Sequence, residues 1–383
     1  MKKIIRITTV PLALKSLLHG QMNFMWQNGF EVLMISADGP EREDVIKQEQ
    51  CPHQIVPMTR KITPLQDLKC LWQLIRIMRK EKPNIVHTHT PKAGLLGMLA
   101  AWISRVPVRI HTVAGLPLMV EKGFKLQLLK AIEKITYATA TNVWPNGASM
   151  KKVIEENRFC SPKKIKVIGN GSSNGIDTNR FNSQALDPIQ LQKIKQEINY
   201  DPNTTYLLFT GRLVYDKGIV ELITAFEKIQ KSNPGLKLIL TGNFEKSLDA
   251  LPPYIEKIIV SNPAIIHISW TSYVEYFMAL ANIFIFPTHR EGFPNVLLQA
   301  SLMKLPIVCS NIPGNVDIVV HQKTGLLFMV DNVHSLCEQL EYAINNTHKM
   351  KTMAEEQYHF VYNNFPREVV WQALLEEYNQ LSN

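Results

Sequence analysis

The sequence predicts an α/β protein built from two doubly wound, parallel-sheet domains. Three observations predict it. The chain has 383 residues, more than one ordinary hydrophobic core takes up and suited to two α/β domains. Short β-rich apolar runs alternate with helix-length segments along its whole length, the pattern of βαβ units. The alternation weakens into polar residues over 179–202 and restarts at Thr205–Thr210, as a second domain would.

In the first half the runs that read as strands are Lys3–Thr8, Glu31–Ser36, Gln54–Pro57, Ile85–Thr88, Arg109–Val113, Asn142–Trp144 and Ile165–Ile168. Between them lie helical stretches such as Leu65–Lys82, where Leu68, Leu71, Trp72, Ile75 and Met78 recur at helical spacing. In the second half the strands are Thr205–Thr210, Lys237–Thr241, Ile265–Ser269, Ile283–Phe286, Ile307–Cys309 and Gly325–Phe328. The division falls near residue 182, giving domains 1–182 and 183–365, with a terminal helix over 366–383 expected to pack back on the first. Two such domains would face each other across a cleft. In each, the loops at the carboxyl ends of the strands are where ligands bind.

Composition narrows the class. Apolar residues make up 45% and charged residues 20%, as in ordinary globular proteins. No apolar run reaches the roughly 18–20 residues of a membrane span, and Arg6 and Lys15 interrupt any signal-peptide reading of the N-terminus. Five scattered cysteines, without a Cys-x-x-Cys pair, argue against zinc binding and disulfides and fit a cytoplasmic chain. The net charge of +9 is uneven: residues 1–182 hold 27 Lys+Arg against 13 Asp+Glu, and the remainder 15 against 20. A basic first half points to an anionic partner, phosphate groups or an anionic membrane surface. With no nucleic-acid motif beside it, that charge does not imply nucleic acid.

Two loops carry the chemistry. In Thr210-Gly211-Arg212-Leu213-Val214-Tyr215-Asp216-Lys217-Gly218, a strand-to-helix turn combines glycines with two cations. Glycine lets backbone approach an anion, a helix start adds positive field, and Arg212 and Lys217 are charged donors, so the loop suits a pyrophosphate. It is not a Walker motif. In Pro287-Thr288-His289-Arg290-Glu291-Gly292-Phe293-Pro294-Asn295-Val296-Leu297-Leu298-Gln299, a strand runs into a turn with Pro294 placed to open a helix. Asn295 and Gln299, four apart, share a helix face behind Glu291. A carboxylate that accepts from hydroxyls, next to amide donors, suits a polyhydroxy ligand.

These segments resemble the signatures of family-4 retaining glycosyltransferases of the GT-B fold, with two Rossmann-like domains. The likeness extends to Pro306-Ile307-Val308, Pro313-Gly314-Asn315 and Lys323-Thr324-Gly325-Leu326-Leu327. In the first half, Val86-His87-Thr88-His89-Thr90-Pro91-Lys92-Ala93-Gly94 and Gly169-Asn170-Gly171-Ser172-Ser173-Asn174-Gly175 are similar to the branch that builds capsular and related surface polysaccharides. The resemblance implies a nucleotide diphosphate sugar as donor, UDP by family habit. Arg212 and Lys217 would hold its pyrophosphate and Glu291 its sugar hydroxyls. Gly211, Gly292, Phe293 and Asn295 would line the donor, and Val296 would pack near the ribose. Gln299 stands where the family usually has a second glutamate for the ribose hydroxyls, and Ala114 where many relatives have a histidine touching the sugar; both are departures.

In the mechanism the resemblance implies, the departing phosphate oxygen takes the acceptor's proton on the face where the new bond forms. The protein then positions groups and stabilises charge. No acidic pair is set to flank a glycosidic bond, and Asp-x-Asp is absent, so neither metal nor other cofactor is expected on the pyrophosphate. The acceptor, a polyprenyl-diphosphate-linked sugar in the branch resembled, would meet the first domain, with Lys15, His89 and Gly115 on that side. For His87 and His89 a structural role is favoured. The segment Lys122–Tyr137 mixes lysines with Phe124, Leu128, Leu129 and Ile132, and reads equally as a helix resting on anionic lipid or as a core-packed helix with a wet basic face. The competing readings are a nucleotide-sugar 2-epimerase, for which no acid/base carboxylates are identified, and a non-catalytic sugar-nucleotide-binding subunit, motivated by Gln299 and Ala114.

Overall fold

Residues 1–245 and 249–382 are described by a computed structural model; residues 246–248 and Asn383, inside the ranges above, lie outside the described residues. The chain forms two compact units, Met1–Gly175 with the C-terminal helix Arg367–Leu381, and Ile176–Pro366. The division thus lies before residue 182. Ile176 and Phe181 are 4% exposed and belong to the second unit's core, which draws the preceding linker into that unit.

The first unit holds β1 (Lys2–Ile7), β2 (Phe30–Ser36), β3 (His53–Ile55), β4 (Ile85–His89), β5 (Val108–Val113) and β6 (Asn142–Pro145). They form a parallel sheet in the order β3-β2-β1-β4-β5-β6. Alternate residues of a strand face opposite sides, and here both sides are covered. Ile5, Ile7 and Val86 pack on one side beneath the helices Pro64–Glu81 and Pro91–Ile103, through Leu74, Ala93 and Met98. Ile4, Val32, Met34 and Ile110 pack on the other, where the C-terminal helix contributes Val370, Leu374, Leu375 and Tyr378. Burial on both faces is why these strands read as continuous apolar runs.

Ile165–Ile168 is not a strand. Ile165 forms a single bridge to Val143, and one bond, Lys166 N to Val143 O at 3.1 Å, follows. Lys163, Lys164 and Lys166 leave this piece too little apolar side chain to bury as a seventh strand.

The second unit repeats the plan with β7 (Thr205–Thr210), β8 (Leu236–Thr241), β9 (Ile265–Ile268), β10 (Ile283–Phe286), β11 (Ile307–Ser310) and β12 (Leu326–Phe328), all parallel, in the order β12-β11-β10-β7-β8-β9. Proline opens the helices at Pro64, Pro91, Pro188 and Pro253, where its missing N–H is no loss.

One buried acid makes the stability pH-dependent. Glu133, on the helix Gly123–Thr139, is 6% exposed, and burial pushes its carboxyl from an ordinary 4.5 up to about 7. Folding then favours the protonated acid, so its contribution is complete below about 4.5 and is lost as pH rises through about 7. Glu133→Gln is expected to stabilise the fold by roughly 3 kcal/mol at pH 8, with almost no gain at pH 4.5. Urea unfolding at the two pH values checks this, and a pH-independent difference would mean that Glu133 is not the group titrating.

Candidate functional site

In a doubly wound sheet the ligand crevice opens at the carboxyl ends of the strands, where the strand order reverses. In the second unit β7, β8 and β9 run outward on one side and β10, β11 and β12 on the other, so the reversal lies between β7 and β10. The loop 211–218 leaves β7 and the loop 287–294 leaves β10. The two segments singled out from sequence therefore flank the one place in this sheet where topology puts a crevice.

Glycines let the loops close on one another. Gly218 has φ +68°, and a Cβ there would stand 2.0 Å from the carbonyl oxygen of Pro287. Gly314, at φ +91°, would place a Cβ 2.9 Å from the carbonyl oxygen of Gly292, so the loop after β11 backs the same turn. His289 N bonds Asp216 O at 2.9 Å, and the Arg290 guanidinium pairs with Asp216 Oδ2 at 2.8 Å.

This framework brings Lys217 Nζ into direct contact with Glu291 Oε1. The two side chains are only 16% and 17% exposed, so water screens them weakly. The ammonium also stands 5.7 Å from the Phe286 ring centroid. Thr288, fully buried, holds its Oγ1 3.2 Å from both Asp216 O and Arg290 O and 3.3 Å from Glu291 Oε1. The pair has the parts for a diphosphate sugar: a cation for phosphate oxygens and, touching it, an acceptor for hydroxyls.

Arg212, on the same loop as Lys217, takes a different partner. Its guanidinium pairs with Glu245 at 2.5 Å, on the loop after β8, and its side chain is 48% exposed. Glu245 lies 33 residues away in a loop with no periodic pattern, so nothing local announced the pairing. Pro294 sits one residue earlier than expected, extended at φ −79° and ψ 108°, as the residue before the helix Asn295–Leu302. No side chain among the described residues caps that helix start. Gly292 and Phe293 are buried, while Asn295, Val296 and Gln299 are half-buried along its first turns. Gly211 follows β7 directly.

Sequence reading missed the supports. Asn315 Nδ2 reaches Ser310 O at 2.9 Å, and Ser310 Oγ bonds the carbonyl of Thr288. A small hydroxyl at the end of each of β10 and β11 was the available signal, too weak to use alone.

In the first unit, Lys15 lies within the short helix Pro11–Leu17 and pairs with Asp44 at 2.6 Å. Gly115 follows β5 and is half-buried. His89 is 2% exposed, with Nε2 2.9 Å from the buried Arg6 guanidinium. Burial, with the Arg6 charge adding, holds its pKa well below the ordinary value, so the imidazole stays neutral. His87 lies between Tyr378 Oη at 2.5 Å and Thr112 Oγ1 at 2.6 Å. Both histidines are packed into the core side of a small cavity also lined by Gln21, Asn146 and Ser172.

The chain matches two family models, "Glycosyltransferase Family 4" over residues 19–180 and "Glycosyl transferases group 1" over residues 191–360. It is 35% identical over 383 residues to the capsular polysaccharide biosynthesis glycosyltransferase CapM of Staphylococcus aureus, covering 99% of this chain and 97% of that protein. It is 25% identical over 315 residues to the UDP-Gal:alpha-D-GlcNAc-diphosphoundecaprenol alpha-1,3-galactosyltransferase of Escherichia coli, covering 81% and 79%. Among solved structures, Anabaena Alr3699/HepE in complex with UDP-glucose superimposes with a TM-score of 0.80 at 17% identity, over 99% of this chain and 100% of that one. At that identity the likeness is one of fold.

Proposed function

The chain belongs to glycosyltransferase family 4, and from that premise we propose that it is a retaining enzyme moving a sugar from a UDP-sugar to a polyprenyl-diphosphate-linked sugar in surface polysaccharide synthesis. The observation that carries the reading is the contact of Lys217 with Glu291 at the reversal of strand order in the second unit. The names of the relatives, one acting in capsule synthesis and one on a diphosphoundecaprenol-linked sugar, support the acceptor class.

In this reading the bond from the sugar's anomeric carbon to the diphosphate breaks while the bond to the acceptor oxygen forms on the same face. The acceptor's proton passes to the departing phosphate oxygen. Lys217 neutralises the charge that gathers on the diphosphate, and Arg212 exchanges Glu245 for it. Glu291 accepts hydrogen bonds from the donor sugar, and amides around Gly292, Phe293 and Asn295 complete the cradle, with Gly211 leaving room for it. Val296 packs on the ribose, and the Gln299 amide oxygen accepts from a ribose hydroxyl without the charge of a glutamate. No metal is called on at the diphosphate, since these cations serve there. The first unit takes the acceptor, with Lys15 and Gly115 nearest; His89, buried, supports that side through Arg6. The test is a panel of UDP-sugars with an undecaprenyl-diphosphate-linked N-acetylhexosamine as acceptor, reading the product's anomeric configuration by NMR. Transfer with retention is expected, and transfer with inversion, or none from any UDP-sugar, overturns the proposal.

We place the enzyme peripherally on the membrane that holds such an acceptor. No helix among the described residues is long and apolar enough to cross a membrane. At the start of the helix Gly123–Thr139, Phe124 is 85% exposed, beside the exposed Lys122 and Lys125. Exposed Ile62, Leu65, Leu68 and Trp72 lie in and before the helix Pro64–Glu81. Apolar side chains mixed with lysines suit an anionic bilayer surface. The chain is expected to float with phosphatidylglycerol vesicles at low salt, and Phe124→Glu with Lys125→Glu to abolish flotation. Absence of flotation by the unaltered chain would remove the membrane from the proposal.

A further inference from the structure

Next to the Lys217–Glu291 pair, three side chains from three separate segments of the second unit converge. Glu221 lies in the first turn of the helix Ile219–Ser232, His289 in the loop after β10, and Asp331 in the turn between β12 and the helix Val333–Asn345. Each offers one ligand atom, and these atoms lie within 4.8 Å of one another. His289 Nε2 stands 3.3 Å from Glu221 Oε1 and 3.1 Å from Asp331 Oδ1. The edge of a tetrahedron around a cation with bonds of about 2.0–2.1 Å is roughly 3.3–3.4 Å, which is this spacing.

Burial supplies a second, independent pointer. The His289 and Glu221 side chains are 9% and 10% exposed, yet Glu221 Oε2 has no hydrogen-bond partner among the described residues. A buried carboxylate oxygen without a partner is costly, and a cation held by the Glu221 carboxylate would satisfy it. Asp331, 68% exposed, leaves an entry path and a position for water. The Tyr215 ring stands edge-on to the imidazole at 5.6 Å and walls the other side.

We propose that Glu221, His289 and Asp331 form a three-ligand site for a divalent transition-metal cation of the Zn²⁺ type, which fastens the loop carrying Glu291 to the helix start after β7 and the turn after β12. One imidazole with two carboxylates selects a transition metal over Mg²⁺ or Ca²⁺, which prefer all-oxygen shells. The ion holds loops and touches no part of the donor diphosphate, so its role is separate from the sugar chemistry. It competes with a proton for His289, because a protonated imidazole could instead bridge the same two carboxylates.

The experiment uses the full chain, treated with EDTA, desalted, and titrated with ZnCl₂ at pH 7.5 without nucleotide, with the thermal unfolding midpoint measured in parallel. About one equivalent is expected to bind and raise the midpoint, since a ligand of the folded state stabilises it, while MgCl₂ leaves the midpoint unchanged. Asp331→Asn, at an exposed position that preserves the fold, is expected to weaken Zn²⁺ binding at least about tenfold with the metal-free midpoint unchanged. His289→Gln is expected to abolish binding. Binding of less than half an equivalent overturns the proposal. So does wild-type affinity in both variants, which would place the ion at exposed pairs such as His334 with Glu338. A midpoint indifferent to Zn²⁺ that falls as pH rises through the histidine range also overturns it, by assigning the cluster to an imidazolium ion pair.

Discussion

Lys217→Ala is expected to lower the turnover number about 10²–10³-fold, the loss typical of removing one preorganised stabiliser of developing negative charge. The ammonium stands where β7 and β10 part, 16% exposed, so charge on a departing diphosphate is felt there through little water. Arg212→Ala makes the internal comparison. Its guanidinium is 48% exposed and already paired with Glu245, so its removal is expected to raise the donor KM more than it lowers kcat. Steady-state UDP release over a range of donor concentrations measures both. Near-normal kcat in Lys217→Ala would take the ammonium out of leaving-group stabilisation. The variant should stay folded, because the stranded Glu291 carboxylate keeps Thr288 Oγ1 at 3.3 Å and remains 17% exposed, open to rehydration.

Glu291→Gln should separate the two halves of the donor. The change keeps the shape of the side chain and removes its charge. Sugar hydroxyls would lose a charge-assisted partner, so kcat/KM for the UDP-sugar is expected to fall about 10–100-fold, the worth of one such hydrogen bond. Affinity for UDP alone is expected to hold or rise, since Lys217 is released from its carboxylate partner and faces the diphosphate unopposed. Calorimetric titration with UDP and with the UDP-sugar checks the split. If both affinities fall together, Glu291 acts by holding Lys217 and its loop, and contact with the sugar is refuted.

Much of this was legible before any coordinates. Short apolar runs located all twelve described strands, because most of them are buried on both faces and so read as unbroken apolar stretches. Glycine next to cation, and glutamate next to glycine, marked loops 211–218 and 287–294 because unusual residue types cluster there. Ile165–Ile168 misled because four residues with two isoleucines look like a strand until partners are counted, and only Val143 answers. The fate of His87 and His89 turned on a residue far along the chain: Tyr378 Oη meets both His87 Nδ1 and the Arg6 guanidinium at 2.5 Å.

The amino-acid order by itself determined the α/β class, the repetition of the plan and the loops that bear charge. These depend on neighbours within a few residues, where periodicity and backbone chemistry act. Only the tertiary structure decided that Lys217 meets Glu291, 74 residues away, that Gly218 closes on Pro287, and that Arg212 turns to Glu245. The Arg212 pairing follows from setting β8 beside β7, and the other two meetings from placing β10 beside β7 instead of beside β9. That choice is made by packing all six strands of the sheet at once, and no short stretch of chain contains it.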